Sequence, residues 1–373
     1  MKNKIIVKAL VFEIILLFLG AGVVSGLNEN SITNFKPMNN GNWLYVGGNE
    51  SGNYSNIQDA IDNASMGDTV FVYDDSSPYQ ENIHINKQIL VIGENKDTTI
   101  INGVTGQHHV VRIAAKNAEI NGFTIIGEAG GQDGVVVYPL IEESVISNNI
   151  IKDCYYGILL QATSGRMTIS DNIILNNDYE GLLLQDSDRN VITGNTIEEN
   201  SHFGITMELN SAQNWIIGNA INDNFAGIQI ISTSKQNNIS GNQILNNEME
   251  GILINGLLST ANEITGNNIS SNKIGVKIYN GGKNIITSNN INDNSNSGIY
   301  LSVSNQNIIK VNNFIGNKRN AHFIFSFGNT WNSNYWDNWI GFKIPLFKMF
   351  PKTIRGIVLR NYDWNPQEEP YDI

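Results

Sequence analysis

The feature that most constrains this chain is an internal repeat of about 23 residues. A glycine followed by an apolar, any, apolar triplet recurs at spacings of 23, 24, 23, 23, 24, 24 and 23, at Gly134, Gly157, Gly181, Gly204, Gly227, Gly251, Gly275 and Gly298. Such a period is too short for a repeated helix pair or a propeller blade. It indicates short strands stacked in a solenoid.

Two series of asparagines share this period. The first comprises Asn149, Asn172, Asn195, Asn219, Asn242, Asn267, Asn289 and Asn312. The second follows five residues after the first and comprises Asn177, Asn200, Asn224, Asn247, Asn272, Asn294 and Asn317, with Cys154 in the earliest slot. Stacked amides can donate to and accept from the neighbouring coils, and asparagine tolerates left-handed backbone angles at turns. We interpret both series as structural ladders.

The repeat predicts an all-β fold, a single-stranded right-handed parallel β-helix of about 11–12 coils. Leucine-rich repeats have a similar length but need a leucine-rich consensus with one strand per repeat. Here β-branched residues recur at period two in several short segments of each repeat. The residue after each glycine and the residue two further on are expected to point into the core.

The two ends of the chain depart from the repeat. Lys2, Lys4 and Lys8 precede an apolar run and then small residues, which is the layout of a signal peptide over 1–26. Ser55 and Gln58 predict a capping box at the start of a short helix. The predicted organisation is a signal peptide 1–26, a lead-in segment 27–54, the β-helix 55–327 with a capping helix 56–65, and an aromatic-rich C-terminal cap 328–373.

Charge and cysteine content limit the function classes. The net charge is −12, and an acidic surface repels nucleic acid and anionic lipid. The single cysteine, Cys154, cannot form an internal disulfide. The leader predicts a secreted or cell-surface protein without a stable membrane span after cleavage, and an uncleaved leader acting as an anchor is the alternative.

Outward positions supply the candidate site residues. Asp186 and Asp188 lie in one turn and Glu208 lies at an outward position of the next coil, so these three are the candidate catalytic carboxylates. Aromatic residues two positions before the repeat glycines form an outward column that could line a shallow sugar groove. The ligand-binding candidates are Tyr155, Tyr179 and Phe225, with His202 and Met249 in the same column.

Several segments resemble the NosD-type secreted right-handed β-helices, including archaeal surface members of that group. The segments are YSNIQDAI at 54–61, GDTVFV at 67–72, YQENI at 79–83, IGENKDTTIING at 92–103 and WNSNYWD at 331–337. The resemblance implies the β-helix fold over most of 43–373. The namesake role, assistance in copper-site maturation, would require clustered His, Met or Cys, whereas the five histidines here are scattered. No metal site is therefore predicted.

Two functional hypotheses follow. The favoured one is a non-enzymatic surface β-helix that binds glycans or serves as a scaffold, with an extracellular or cell-wall polysaccharide as the partner. The alternative is a carbohydrate-active enzyme, a polysaccharide lyase, hydrolase or epimerase. The sequence identifies no cofactor, and Ca²⁺ is left open because uronate lyases use acidic Ca²⁺ ligands.

Overall fold

The computed structural model describes residues 41–127, 131–162, 165–339, 351–356 and 360–373. These residues belong to one structural unit, Met38–Ile373. The predicted signal peptide, 1–26, lies outside the described residues. Within the described ranges, no helix combines the length and the apolar character that crossing a membrane requires.

The unit winds as a right-handed parallel β-helix of about 13 turns, which confirms the predicted fold class. The strands of the described residues form a 26-stranded sheet and a 12-stranded sheet. The turns beyond the predicted number come from end strands that lack the repeat markers. Trp43–Val46 lies inside the segment predicted as lead-in and pairs with Thr69–Val72. Thr330–Asn332 lies inside the predicted cap and pairs with Ile308–Lys310.

Three rows of strands run along the helix. The first row contains Ile83–Ile85, His109–Ile113, Asp133–Val137, Ile158–Gln161, Leu182–Gln185, Phe203–Glu208, Ala226–Ile231, Glu250–Asn255, Ile274–Tyr279, Ser297–Ser302, Ala321–Ile324 and Lys352–Gly356. The second row contains Trp43–Val46, Thr69–Val72, Leu90–Gly93, Glu119–Asn121, Val145–Ser147, Thr168–Ser170, Val191–Thr193, Trp215–Ile217, Asn238–Ser240, Glu263–Thr265, Ile285–Thr287, Ile308–Lys310, Thr330–Asn332 and Arg360–Asp363. The third row contains Tyr79–Gln80, Ile100–Asn102, Thr124–Ile126, Ile150–Lys152, Ile173–Leu175, Thr196–Glu198, Ala220–Asn222, Gln243–Leu245, Asn268–Ser270, Asn290–Asn292, Asn313–Ile315 and Tyr335–Trp336.

Alternation along each strand divides core from surface. In the first row the residue after the repeat glycine and the residue two further on are fully buried, as at Ile158 and Leu160. In the second and third rows the middle residue of each three-residue strand is buried, as at Ile169 and Ile174. In the regular coils from Gly134 to Asn292, the strands of each coil therefore bury four apolar side chains, and the residues between them face outward.

Both predicted asparagine series form continuous ladders. The backbone amide of Asn195 and its side-chain Nδ2 donate to Oδ1 of Asn219 over 3.0 and 2.9 Å. The same Nδ2 also donates to the carbonyl of Ile169 at 2.9 Å. A buried amide side chain thus satisfies backbone groups of the coil before it and bonds the asparagine side chain of the coil after it.

A third asparagine ladder, which the sequence analysis did not predict, lies in the turns that lead from the first row to the second row. Its members are Asn190, Asn214, Asn237, Asn262, Asn284, Asn307 and Asn329. Buried serines lie three residues before several of these asparagines. Ser211 Oγ, for example, donates to the carbonyl of Leu184 at 3.0 Å and accepts from the backbone amide of Ser187. Each turn between rows therefore has its own polar column.

The helix near the N-terminal end is α1, Ile57–Asn63, within the predicted 56–65, and it buries Ile57, Ala60 and Ile61. The predicted capping box is wrong, because the cap residue is Asn56 and its side chain makes no capping bond. Glu81 from the next coil takes this role, accepting from the amides of Ile57 and Gln58 at 2.8 and 2.9 Å. A carboxylate at this position compensates both the free amides and the helix dipole.

A two-stranded element closes the C-terminal end. Lys352–Gly356 pairs antiparallel with Arg360–Asp363, and both strands also pair in parallel with the last coil. Trp331 and Trp336, predicted as part of a cap, lie inside the last coil at 3% and 1% exposure, and Trp336 stacks on Phe314. Trp364 is exposed.

Candidate functional site

The outward positions of the first row form a continuous surface. Strand register aligns one residue per coil, and we call this line the outer row: His84, Arg112, Val136, Leu159, Leu183 and Thr206. Val136, Leu159 and Leu183 make a small apolar cluster, against which Tyr138 and Tyr156 pack. The outer row therefore presents an apolar floor with polar residues at both ends.

An aromatic column lies along one side of the outer row. It consists of Tyr155, Tyr179, His202 and Phe225, one from each of four successive coils. Successive rings stack, with centroid separations of 5.5, 4.5 and 6.0 Å. Tyr155, Tyr179 and Phe225 are 37%, 38% and 38% exposed. The structure thus brings the three predicted ligand-binding candidates into one exposed stack, because each occupies the same repeat position.

A groove of about 470 Å³ separates the column from the opposite edge of the row. Tyr155 and Tyr156 line one side, Leu159 and Leu183 line the floor, and Gln161 and Gln185 line the other side. His108, His109 and Asp133 line its N-terminal end. The groove therefore combines an apolar floor with aromatic and polar sides, a combination found in small-molecule and glycan sites.

The three predicted catalytic carboxylates do not line this groove. Asp188 accepts a hydrogen bond from the backbone amide of Ala212 at 2.7 Å, which makes it part of the turn. Asp186 has a left-handed backbone, with φ 50°, in the same turn. Glu208 lies at the end of a first-row strand and accepts from Gln185 Nε2 at 3.0 Å.

A different carboxylate, Glu180, lies beside the aromatic column. Its side chain is 6% exposed, and its Oε1 is 2.7 Å from Nδ1 of His202. Its Oε2 is buried without a hydrogen-bond partner among the described residues. Burial raises the pKa of Glu180, and the hydrogen bond and charge of His202 oppose that rise. Burial, together with the charge of Glu180, also raises the pKa of the neighbouring Tyr156.

A buried carboxylate at the same repeat position three coils later is neutralised by a lysine. Glu250 also precedes a repeat glycine, and its side chain is 7% exposed. The Lys277 amine neutralises it at 2.7 Å. Glu180 has an imidazole in place of that ammonium, so its charge is balanced only when His202 is protonated.

Several nitrogen-bearing side chains lie at the N-terminal end of the groove and on the coils beyond it. His109 Nδ1 lies 3.0 Å from Asp133 Oδ2. The Arg112 guanidinium lies over the ring of Tyr138, with Cζ 3.5 Å from the centroid. Burial, and then the charge of Arg112, lower the pKa of His84. Sequence reasoning missed this group, because the repeat markers start only at Gly134.

A match to a known protein family decides how this chain is classified. The family described as "Periplasmic copper-binding protein (NosD)" matches residues 61–252 and 233–341, most of the chain. The chain belongs to the NosD family. The resemblance read from the sequence is thereby confirmed.

A curated relative of this NosD-family chain is a cell surface glycoprotein of Methanothermus fervidus. It is 32% identical over 107 residues, which cover 29% of this chain and 17% of the relative. The match therefore spans less than a fifth of that protein.

Solved structures share the fold at low identity. The A-module of the mannuronan C-5 epimerase AlgE6 from Azotobacter vinelandii has a TM-score of 0.65 and 17% identity, covering 75% of this chain and 88% of the module. The catalytic unit of a thermostable alpha-1,3-glucanase from Streptomyces thermodiastaticus has a TM-score of 0.59 and 12% identity, covering 74% of this chain and 66% of that unit. At such identities the likeness concerns the fold alone.

The family description names copper, so the donor residues of this chain matter. Across the described ranges, no group of three or more His, Cys, Asp or Glu side chains converges to hold a metal ion. His109 and His202 are each engaged by a carboxylate. Cys154 is buried, and burial raises the pKa of its thiol. These residues do not fit a copper site.

Proposed function

We propose that this NosD-family chain is an exported glycan-binding protein of the cell surface, and that the aromatic column is its sugar platform. The family description is periplasmic and the curated relative is a cell surface glycoprotein. The signal-peptide pattern of 1–26 supports the same location.

The observation that carries the proposal is the exposed stack of Tyr155, Tyr179, His202 and Phe225, whose first ring lines a groove with an apolar floor. Aromatic rings offer a large apolar surface with a polar edge, which suits the apolar face of a sugar ring. Successive coils rise by about 4.8 Å, so the stack presents a long platform to a linear polymer. An exposed apolar surface of this kind marks an interaction site.

Affinity electrophoresis against a panel of neutral and acidic polysaccharides tests this function. The wild-type protein should be retarded by at least one polymer. Tyr179→Ala should weaken that binding by about tenfold or more, because a central aromatic anchor is removed. Tyr279→Ala is the matched control, since Tyr279 is 42% exposed but lies outside the column. Equal retardation of wild type and Tyr179→Ala would contradict the proposal.

A second function, acid/base chemistry on the bound glycan, is favoured by the Glu180–His202 pair. A carboxylate bonded to Nδ1 fixes the tautomer and the orientation of the imidazole and leaves Nε2 as a proton acceptor. Mass spectrometry of the same polysaccharides after incubation would detect new or altered oligosaccharides. Glu180→Gln should abolish any turnover, whereas Glu248→Gln at an exposed position should not. Unaltered polysaccharides with the wild-type protein would exclude this second function.

A further inference from the structure

Among the residues that the structure describes, Arg112 in the outer row has no acidic partner. Strand register places it one coil before Val136 and two coils before Leu159. Its guanidinium stacks on Tyr138, and its Nε is buried without a hydrogen-bond partner. Within the part of the chain that the structure describes, the guanidinium takes part in no ion pair and no hydrogen bond.

This is unexpected in a chain with 35 acidic and 23 basic side chains. Lys277, also on the outward face of the first row, bonds Glu250 at 2.7 Å, and Arg166 pairs with Glu143 at 3.1 Å. A buried donor without a partner is costly, and it persists where a ligand satisfies it or where function requires it. Arg112 therefore has free hydrogen-bonding capacity beside the groove.

The surroundings of Arg112 connect it to the groove. Tyr138, on which the guanidinium stacks, makes an edge contact with His109 at 6.2 Å between centroids. His109 and His108 line the N-terminal end of the groove, and Tyr155, the first ring of the aromatic column, lines its side. A polymer lying along the column can thus continue towards Arg112.

We propose that Arg112 binds the acidic group of a glycan, a uronate carboxylate or a sulfate ester, whose sugar rings lie on the aromatic column. The planar guanidinium fork matches both oxyanions in a bidentate geometry. Stacking on Tyr138 holds the fork in place and lowers the entropy lost on binding. This inference rests on the proposed glycan-binding function and specifies its ligand as an acidic polysaccharide.

Matched polymer pairs test the inference on the wild-type protein. Polygalacturonate is compared with its carboxyl-reduced form, and dextran sulfate with dextran, by affinity electrophoresis at low ionic strength. We expect the acidic member of one pair to bind about tenfold more tightly, as for a charge-assisted bidentate contact. The pair that shows the preference distinguishes carboxylate from sulfate. Equal binding within both pairs would overturn the inference while leaving the glycan-binding function intact.

Substitutions at Arg112 and Arg166 test whether Arg112 causes the preference for acidic polymers. Arg112→Gln should reduce the acidic-over-neutral ratio towards one, and Arg112→Lys should give an intermediate ratio, because it keeps the charge and loses the fork. Arg166→Gln removes the same charge at a distant turn and should leave the ratio unchanged. If Arg166→Gln lowers the ratio as much as Arg112→Gln, the preference is a general charge effect and the inference fails. Lack of binding to all four polymers would refute both the proposed function and this inference.

Discussion

At the scale of single residues, the partner of a side chain decides its chemistry more than its repeat position does. Glu180 and Glu250 both precede a repeat glycine and are both nearly inaccessible to water. Lys277 neutralises Glu250, whereas Glu180 faces His202 and has one carboxylate oxygen that no described residue bonds. A buried carboxylate with a raised pKa beside an exposed aromatic stack is a functional candidate on physical grounds.

Glu119 is a half-buried carboxyl away from the aromatic column, and its ionisation tests the effect of partial burial. Burial raises its pKa above the ordinary value of 4.5, against the hydrogen bonds from Asn121 and Ser147. The folded state then holds its proton to a higher pH than the unfolded state does, so Glu119 lowers stability as pH rises above about 4.5. Glu119→Gln cannot ionise. Its Tm relative to wild type should rise between pH 4 and pH 7, and a difference that does not change with pH would contradict this account.

The residues of the candidate functional site could be predicted from the sequence only in part. Tyr155, Tyr179 and Phe225 share one repeat position, so their stacking follows from the period. The repeat places Asp186 and Asp188 in one turn and Glu208 at an outward position of the next coil, but it does not show that Asp188 accepts a hydrogen bond from a backbone amide of the turn. Arg112 and His84 lie in coils whose glycine marker is missing, and only the strand register shows that they adjoin.

At the scale of elements, each coil is held by aliphatic residues inside and amides at the corners. Two of the three asparagine ladders were evident because they keep a fixed offset of five residues from each other. The asparagines of the third ladder come after the first-row strands, and the turn between strand and asparagine varies in length. The number of residues from the repeat glycine to this asparagine therefore varies from coil to coil. Its own period, from Asn190 through Asn214 to Asn237, is nevertheless regular enough to have been detected.

Substitution within a ladder tests its energetic role. Asn219 Nδ2 donates to Ile192 O at 2.9 Å and to Asn242 Oδ1 at 3.0 Å, and its Oδ1 accepts from Asn195. Asn219→Leu leaves these buried groups unpaired and should lower the free energy of unfolding by about 3 kcal/mol or more. Denaturant unfolding measures the loss. Asn268→Leu, at an exposed strand position of the third row, is the control and should change stability by about 0.5 kcal/mol at most.

At the scale of the whole molecule, a solenoid is stable only when its ends are closed. The N-terminal end has α1, whose first amides are bonded by Glu81. The C-terminal end has the antiparallel pair that ends at Asp363. The aromatic composition of 328–373 predicted a cap, but the residue that terminates the ladder is a single aspartate. No repeat pattern could have revealed it, because it occurs once.

Asp363 ends the first asparagine ladder with a fully buried carboxylate. It accepts from the backbone amide and the Nδ2 of Asn334 at 3.0 and 2.9 Å, and from Trp336 Nε1 at 3.1 Å. The amides of Ser333 and Asn365 donate to its other oxygen, each at 3.1 Å. One side chain therefore connects the closing strand to the last coil.

Asp363→Ala should therefore open the C-terminal end and leave the middle of the solenoid folded. Contacts in a solenoid run between neighbouring coils, so fraying should reach one or two coils and then stop. Amide hydrogen exchange should lose protection at 330–336 and keep it at 182–231. Asp372→Ala, an exposed change in the same tail, is the control. Uniform loss of protection along the chain would instead mean that the closing strand is required for the entire β-helix to fold, because the coils would then be acting as a single cooperative unit.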